Sequence, residues 1–75
     1  MSLERITIKA ARAIADLTQA ELAEKMGVSR DTVAKWEANR MGINGKNLQR
    51  LCEITGFQAD EIILPVNSTK TGENE

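Results

Sequence analysis

Apolar and polar residues follow one another along this chain in short helical periods, punctuated by threonine, serine, asparagine and glycine. Ile8, Ala11, Ala15 and a closing Leu17 form a narrow apolar stripe, which predicts a first helix capped by Thr7, running to about Leu17, with Arg12 beside the stripe. In TQAE, Thr18 and Glu21 stand at capping-box spacing, so a second helix starts at Gln19 and turns Leu22, Ala23 and Met26 inward. Glu21 and Lys25 are spaced to pair on its outer side. Gly27 ends this helix because glycine takes a positive φ without steric cost; Val28 returns to the core and Ser29 caps a third helix.

The turn between the second and third helices is thus only three residues long. At about 100° per residue from Arg30, Val33 and Trp36 share one side, whereas Arg30, Asp31, Ala34 and Lys35 fall in an opposing arc of about 140°. The third helix has one anchored face and one free face.

From Ala38 to Lys46 the string ANRMGINGK carries two glycines and two asparagines and reads as a connecting loop, with Asn44 placed to cap a further helix. Leu48, Leu51, Cys52 and Thr55 then recur at i, i+3, i+4 and i+7, predicting a fourth helix stopped by Gly56. FQADEIIL predicts a short fifth helix, with Gln58 near its start and Asp60 and Glu61 complementing its positive end. Residues 65–75, PVNSTKTGENE, read as a polar, disordered tail, leaving one domain over residues 4–64.

Composition narrows the picture. A chain of 75 residues buries only about 60% of its unfolded surface and supports one economical core. With 41% apolar residues, one Phe and one Trp, it favours an all-α fold. Cys52 has no partner for an internal disulfide and fits a reducing compartment; no apolar run approaches the roughly 20 residues of a membrane span. The amino-terminal MSLERITIK lacks the apolar stretch of a signal peptide, so a cytoplasmic location is expected.

A net charge of -1 and a pI near 5.4 first suggest that a polyanionic partner is excluded. The distribution reverses that impression. Residues 29–50 hold five basic groups (Arg30, Lys35, Arg40, Lys46, Arg50) against two acidic ones, whereas residues 51–75 hold five acidic groups against Lys70. The middle of the chain is locally positive, and the acidic total is set by the tail.

Two helices joined by a three-residue glycine turn make a helix-turn-helix. The segment LTQAELAEKMGVSRDTVAKWE resembles the signature of the phage-repressor or Cro-like family, also called the XRE family, and the resemblance extends with less force from Ile8 through Ile63. It implies a compact five-helix, lambda-repressor-like domain that binds double-stranded DNA in a sequence-specific way as a homodimer and regulates transcription, as a phage or prophage repressor does. The third helix would then lie in a major groove. On this resemblance Gln19 contacts phosphate, Arg30, Asp31, Ala34 and Lys35 face base edges, Ser29 and Thr32 lie near the backbone, and Arg40 and Lys46 supply loop phosphate contacts. Arg12 and Glu37 match a family ion pair tying the first helix to the end of the third. Where many relatives carry Asn-Gly after the glutamate, this chain has Ala38 and Asn39, and its loop lacks the common proline.

The residue chemistry agrees. Arginine offers a planar fork to guanine O6 and N7, making Arg30 the leading base reader, with a solvated helix cap as its plainer role. Asp31 either accepts from a cytosine amino group or pairs with Lys35 one turn on. Trp36 shares the face of Val33 and belongs to the core, as does Cys52 on the stripe of the fourth helix. Phe57, Ile62, Ile63, Leu64 and Val66 offer more apolar surface than so short a helix buries, which suggests the dimer contact.

Catalysis is not expected. The chain has no histidine and no tyrosine, and no metal-ligand cluster, cofactor motif or small-molecule site stands out. Two other functions use the same helices: an antitoxin that represses its own operon and holds a toxin, and a helical adaptor that binds protein alone.

Overall fold

The computed structural model describes residues 5–64. The chain runs through a short strand β1 (Ile6–Thr7), helix α1 (Ile8–Ile14), α2 (Gln19–Met26), α3 (Arg30–Glu37), α4 (Gly45–Thr55), a 3-10 turn (Ala59–Glu61) and a second short strand, β2 (Ile62–Ile63). The fold is mostly helical, as expected, but it has four α-helices among the described residues, and two strands accompany them. The expected tail at 65–75, and Val66, lie outside the described residues.

Local chemistry sets each boundary. Thr7 caps α1, its hydroxyl accepting from the Ala10 N–H at 3.0 Å. The expected capping box of α2 is present: the Glu21 N–H donates to Thr18 Oγ1 at 3.0 Å and the Thr18 N–H to Glu21 Oε1 at 2.8 Å. This use of the Glu21 carboxylate replaces the expected pair with Lys25, which does not form. Ser29 caps α3 and Asn44 caps α4, so α4 starts at Gly45 and Lys46 lies in its first turn rather than in the loop.

Three helix ends share one device. At Gly27, with φ 73°, the Val28 N–H reaches Ala23 O at 3.0 Å and the Gly27 N–H reaches Glu24 O at 3.3 Å, which satisfies the last carbonyls of α2. A Cβ at Gly27 would meet nothing within 4 Å, so backbone handedness, not space, selects glycine there. Asp16 (φ 65°) and Asn39 (φ 63°) do the same for α1 and α3, with Leu17 N–H to Arg12 O at 3.1 Å and Arg40 N–H to Lys35 O at 2.9 Å. Asp16 therefore stops α1 at Ile14, short of the Leu17 expected. Asn39 fills the left-handed position itself, and Asn and Asp tolerate it better than other side chains.

The expected fifth helix is the main correction. After Gly56 the chain makes only the 3-10 turn, closed by the Gln58 N–H donating to Glu61 Oε1 at 2.8 Å, and Ile62 then extends at φ -108°, ψ 133°. Two β-branched residues favour extension, and Pro65 in the sequence disfavours a helical Leu64 before it. β2 pairs in parallel with β1, Ile6 beside Ile62 and Thr7 beside Ile63.

One core holds the elements together: Ile8, Leu22, Ala23, Met26, Val33, Trp36, Leu51 and Ile62 are all buried in it. Ile43 joins them, an apolar residue in the segment read as a polar loop. Ile62 is 2% exposed, buried in the chain's own core, and so offers almost no surface for the expected dimer contact. Phe57 and Leu64 are half-buried against the core, and only Ile63, at 47%, is exposed among these four.

Candidate nucleic-acid interface

α2 and α3 form the most extensive helix contact of the fold, and Ala23, buried between larger neighbours, keeps it close. Val33 and Trp36 fix α3 by its inner face. Arg30, Asp31 and Lys35 are exposed and Ala34 is half-buried, so the outer arc remains open to solvent as the periodicity predicted.

The two ends of α3 are tied differently. At its start, Ser29 Oγ accepts from the Thr32 N–H at 3.1 Å and lies 3.0 Å from Thr32 Oγ1. These two hydroxyls, expected near a DNA backbone, are thus already engaged with one another, while the first N–H groups of the helix, at Arg30 and Asp31, have no acceptor within it. Asp31 Oδ2 sits 3.2 Å from Lys35 Nζ across one turn. The intrahelical role foreseen for Asp31 is therefore realised in the free protein.

At the end of α3, Glu37 turns inward. Arg12 donates from Nε to Glu37 Oε2 at 2.6 Å and from Nη2 to Oε1 at 3.2 Å, a forked contact that ties α1 to α3. Arg12 Nη1 also reaches Leu17 O at 2.8 Å. The Gln19 amide donates to Glu37 Oε1 at 2.9 Å, so the first residue of α2 and the last of α3 meet at one carboxylate. The family resemblance pairs Arg12 with Glu37 but does not reveal the Gln19 link, which depends on how α2 crosses α3 and has no signature in spacing.

Burial pushes the Glu37 carboxyl upward, but the hydrogen bonds from Arg12 and Gln19, with the charges of Arg12 and Lys9, outweigh it and hold the group below its ordinary range. The hydrogen bond to Glu37 raises Arg12 despite partial desolvation. Cys52 is half-buried, and desolvation, aided by Glu53 and Glu61, pushes its thiol up, away from the reactive thiolate.

Arg40, beyond the end of α3, and Lys46, in the first turn of α4, are both exposed. They flank the free arc in sequence on the side of the connecting loop.

A family model described as helix-turn-helix matches residues 8–62, most of the chain and all of α1 to α4. The chain belongs to the XRE-type helix-turn-helix family. No curated protein and no solved structure matches it significantly. As an XRE-type protein it is a DNA-binding regulator of transcription whose partner is double-stranded DNA. Among the described residues of this XRE-type chain, no helix is long and apolar enough to cross a membrane, and no group of His, Cys, Asp or Glu could hold a metal ion.

Proposed function

We propose that this regulator is a repressor that occupies an operator as a homodimer, reading sequence with the outer face of α3. The observation that carries this reading is the division of α3 into a core face, Val33 and Trp36, and a solvent face bearing Arg30, Asp31 and Lys35. A helix held in this way can enter a major groove without disturbing its own packing. Arg30 donates to guanine O6 and N7, and Ala34 lies where it can touch a thymine methyl. Lys35 and Asp31 complete the base-facing set. Gln19, Ser29 and Thr32 position the helix against phosphate, with the free N–H groups at the helix start, and Arg40 and Lys46 neutralise the flanking backbone.

Two copies related by a two-fold axis place their third helices about 34 Å apart, one turn of duplex. The contact between copies uses Ile63, the exposed apolar residue of β2, together with the half-buried Phe57 and Leu64. Ile63→Asp is expected to convert a sedimenting dimer to a monomer; a wild-type chain that is monomeric at high micromolar concentration refutes the self-association.

The deciding experiment is a titration of duplex DNA flanking the protein's own gene at several salt concentrations. Specific binding weakens steeply with salt, Lys46→Ala flattens the slope by about 1.8 per dimer, one phosphate contact in each copy, and Arg30→Ala changes sequence preference. If both substitutions act alike, the division between positioning and reading is wrong.

A further inference from the structure

Four charged residues stand on α3, and their partners divide them unequally. Glu37 is turned inward and satisfied by Arg12 and Gln19. Lys35 is matched by Asp31 at 3.2 Å, with side-chain exposures of 47% and 73%. Among the described residues of this helix, Arg30 alone has no ion-pair partner. A face meant for a polyanion thus carries a carboxylate in its middle that cancels one of its two outward cations, and this carboxylate is too exposed to help pack the fold.

Resting on the proposed role of α3, we infer that Asp31 is a specificity-determining residue that selects a C·G base pair and controls whether Lys35 can act. Cytosine is the base whose major-groove edge offers only an amino donor, from which a carboxylate can accept; adenine sets its N6 donor beside the N7 acceptor, and guanine O6 and N7 and thymine O4 are acceptors that repel a carboxylate. Opposite a C·G pair, the cytosine N4–H donates to the Asp31 carboxylate and Lys35 turns to donate to guanine O6 or N7. Opposite other pairs the carboxylate stays on Lys35, so the lysine brings no net charge to the phosphates. The pair lowers affinity for most sequences and spares one.

A role confined to the helix start makes a different forecast. An aspartate in the first turn favours the positive helix end, which changes melting temperature but not base preference.

The test uses the full chain as wild type, Asp31→Ala and Asp31→Asn, each taken through selection from a randomised duplex library. The wild-type-selected duplex and a scrambled one are then titrated over a range of salt. The expected result is that wild type enriches C·G at one position in each half-site and both variants lose that preference, by about ten-fold in relative affinity. Both variants also bind the scrambled duplex several-fold more tightly, with a salt slope steeper by about 1.8 per dimer, as one more cation in each protomer releases counterions. Circular dichroism should show both variants folded, since the side chain makes no core contact. Retention of the wild-type motif and slope by both variants overturns the inference, as does a lowered melting temperature with the motif unchanged. Failure of the wild type to enrich any duplex refutes the proposed reading of α3 itself, and the inference falls with it.

Discussion

Two ion pairs end on the same eight-residue helix, and they do opposite work. Arg12 and Glu37 join residues 25 apart in sequence, at 2.6 Å, with side-chain exposures of only 14% and 5%. Asp31 and Lys35 lie one turn apart at 3.2 Å and face solvent. The inner pair is part-buried and forked and shares its carboxylate with Gln19, so loss of either partner leaves the other charge partly shielded from water without its match. The exposed pair competes with hydration and salt, and little stability depends on it. Charge on α3 is therefore sorted by depth: the inner pair fixes where the helix lies, and the outer pair is left available for what the helix meets.

The largest break in this contrast is Glu37→Ala, expected to cost about 2 kcal/mol by leaving the part-buried Arg12 and Gln19 without their partner. A domain of this size has only about 4–11 kcal/mol in total, so urea denaturation should show a large loss of midpoint. Gln19→Ala removes one hydrogen bond to the same carboxylate and should cost about 1.5 kcal/mol in the same assay. Acid gives a third comparison. Because the folded Glu37 carboxyl lies below its ordinary value of 4.5, its contribution is fully present above that pH and disappears as pH falls through the lower folded value. Melting temperature should therefore drop on acidification below about pH 4.5, and the part due to this group should vanish in Glu37→Gln. Smallest is Lys35→Ala, expected to change stability by less than about 0.5 kcal/mol. A Lys35→Ala loss as large as that of Glu37→Ala would end the distinction.

The helix-turn-helix was legible because its determinants are local. Thr18 and Glu21 announce the start of α2, Gly27 its end, Ser29 the next cap, and Val33 with Trp36 the anchored face; each acts within a turn or so of its effect. The ion pair of Arg12 and Glu37 came from family resemblance, since nothing in spacing joins positions so far apart. What stayed hidden was tertiary. EIIL is too short a run for periodicity to separate strand from helix, and the partner that makes it a strand, Ile6, lies at the other end of the domain. Asp16 and Asn39 accept the left-handed backbone usually associated with glycine, so the apolar stripe of α1 overstates its length. Ile43 sits among loop-forming residues that masked its burial. Of the site, the outward set on α3 followed from angle alone, whereas the tether from Gln19 to Glu37 required knowing how two helices cross.

The parallel pairing of Ile6 with Ile62 carries a consequence for how this domain comes into being. A growing polypeptide leaves the ribosome from its amino end, and α1 to α3 emerge well before Ile62 does. Until then Ile6 lacks its backbone mate and the hydrophobic interior lacks one of its walls, so the nascent helices have no completed surface to settle on. A stop codon just before Ile62 would yield a chain carrying every base-facing side chain but lacking one buried member of the core and the strand that pairs with Ile6.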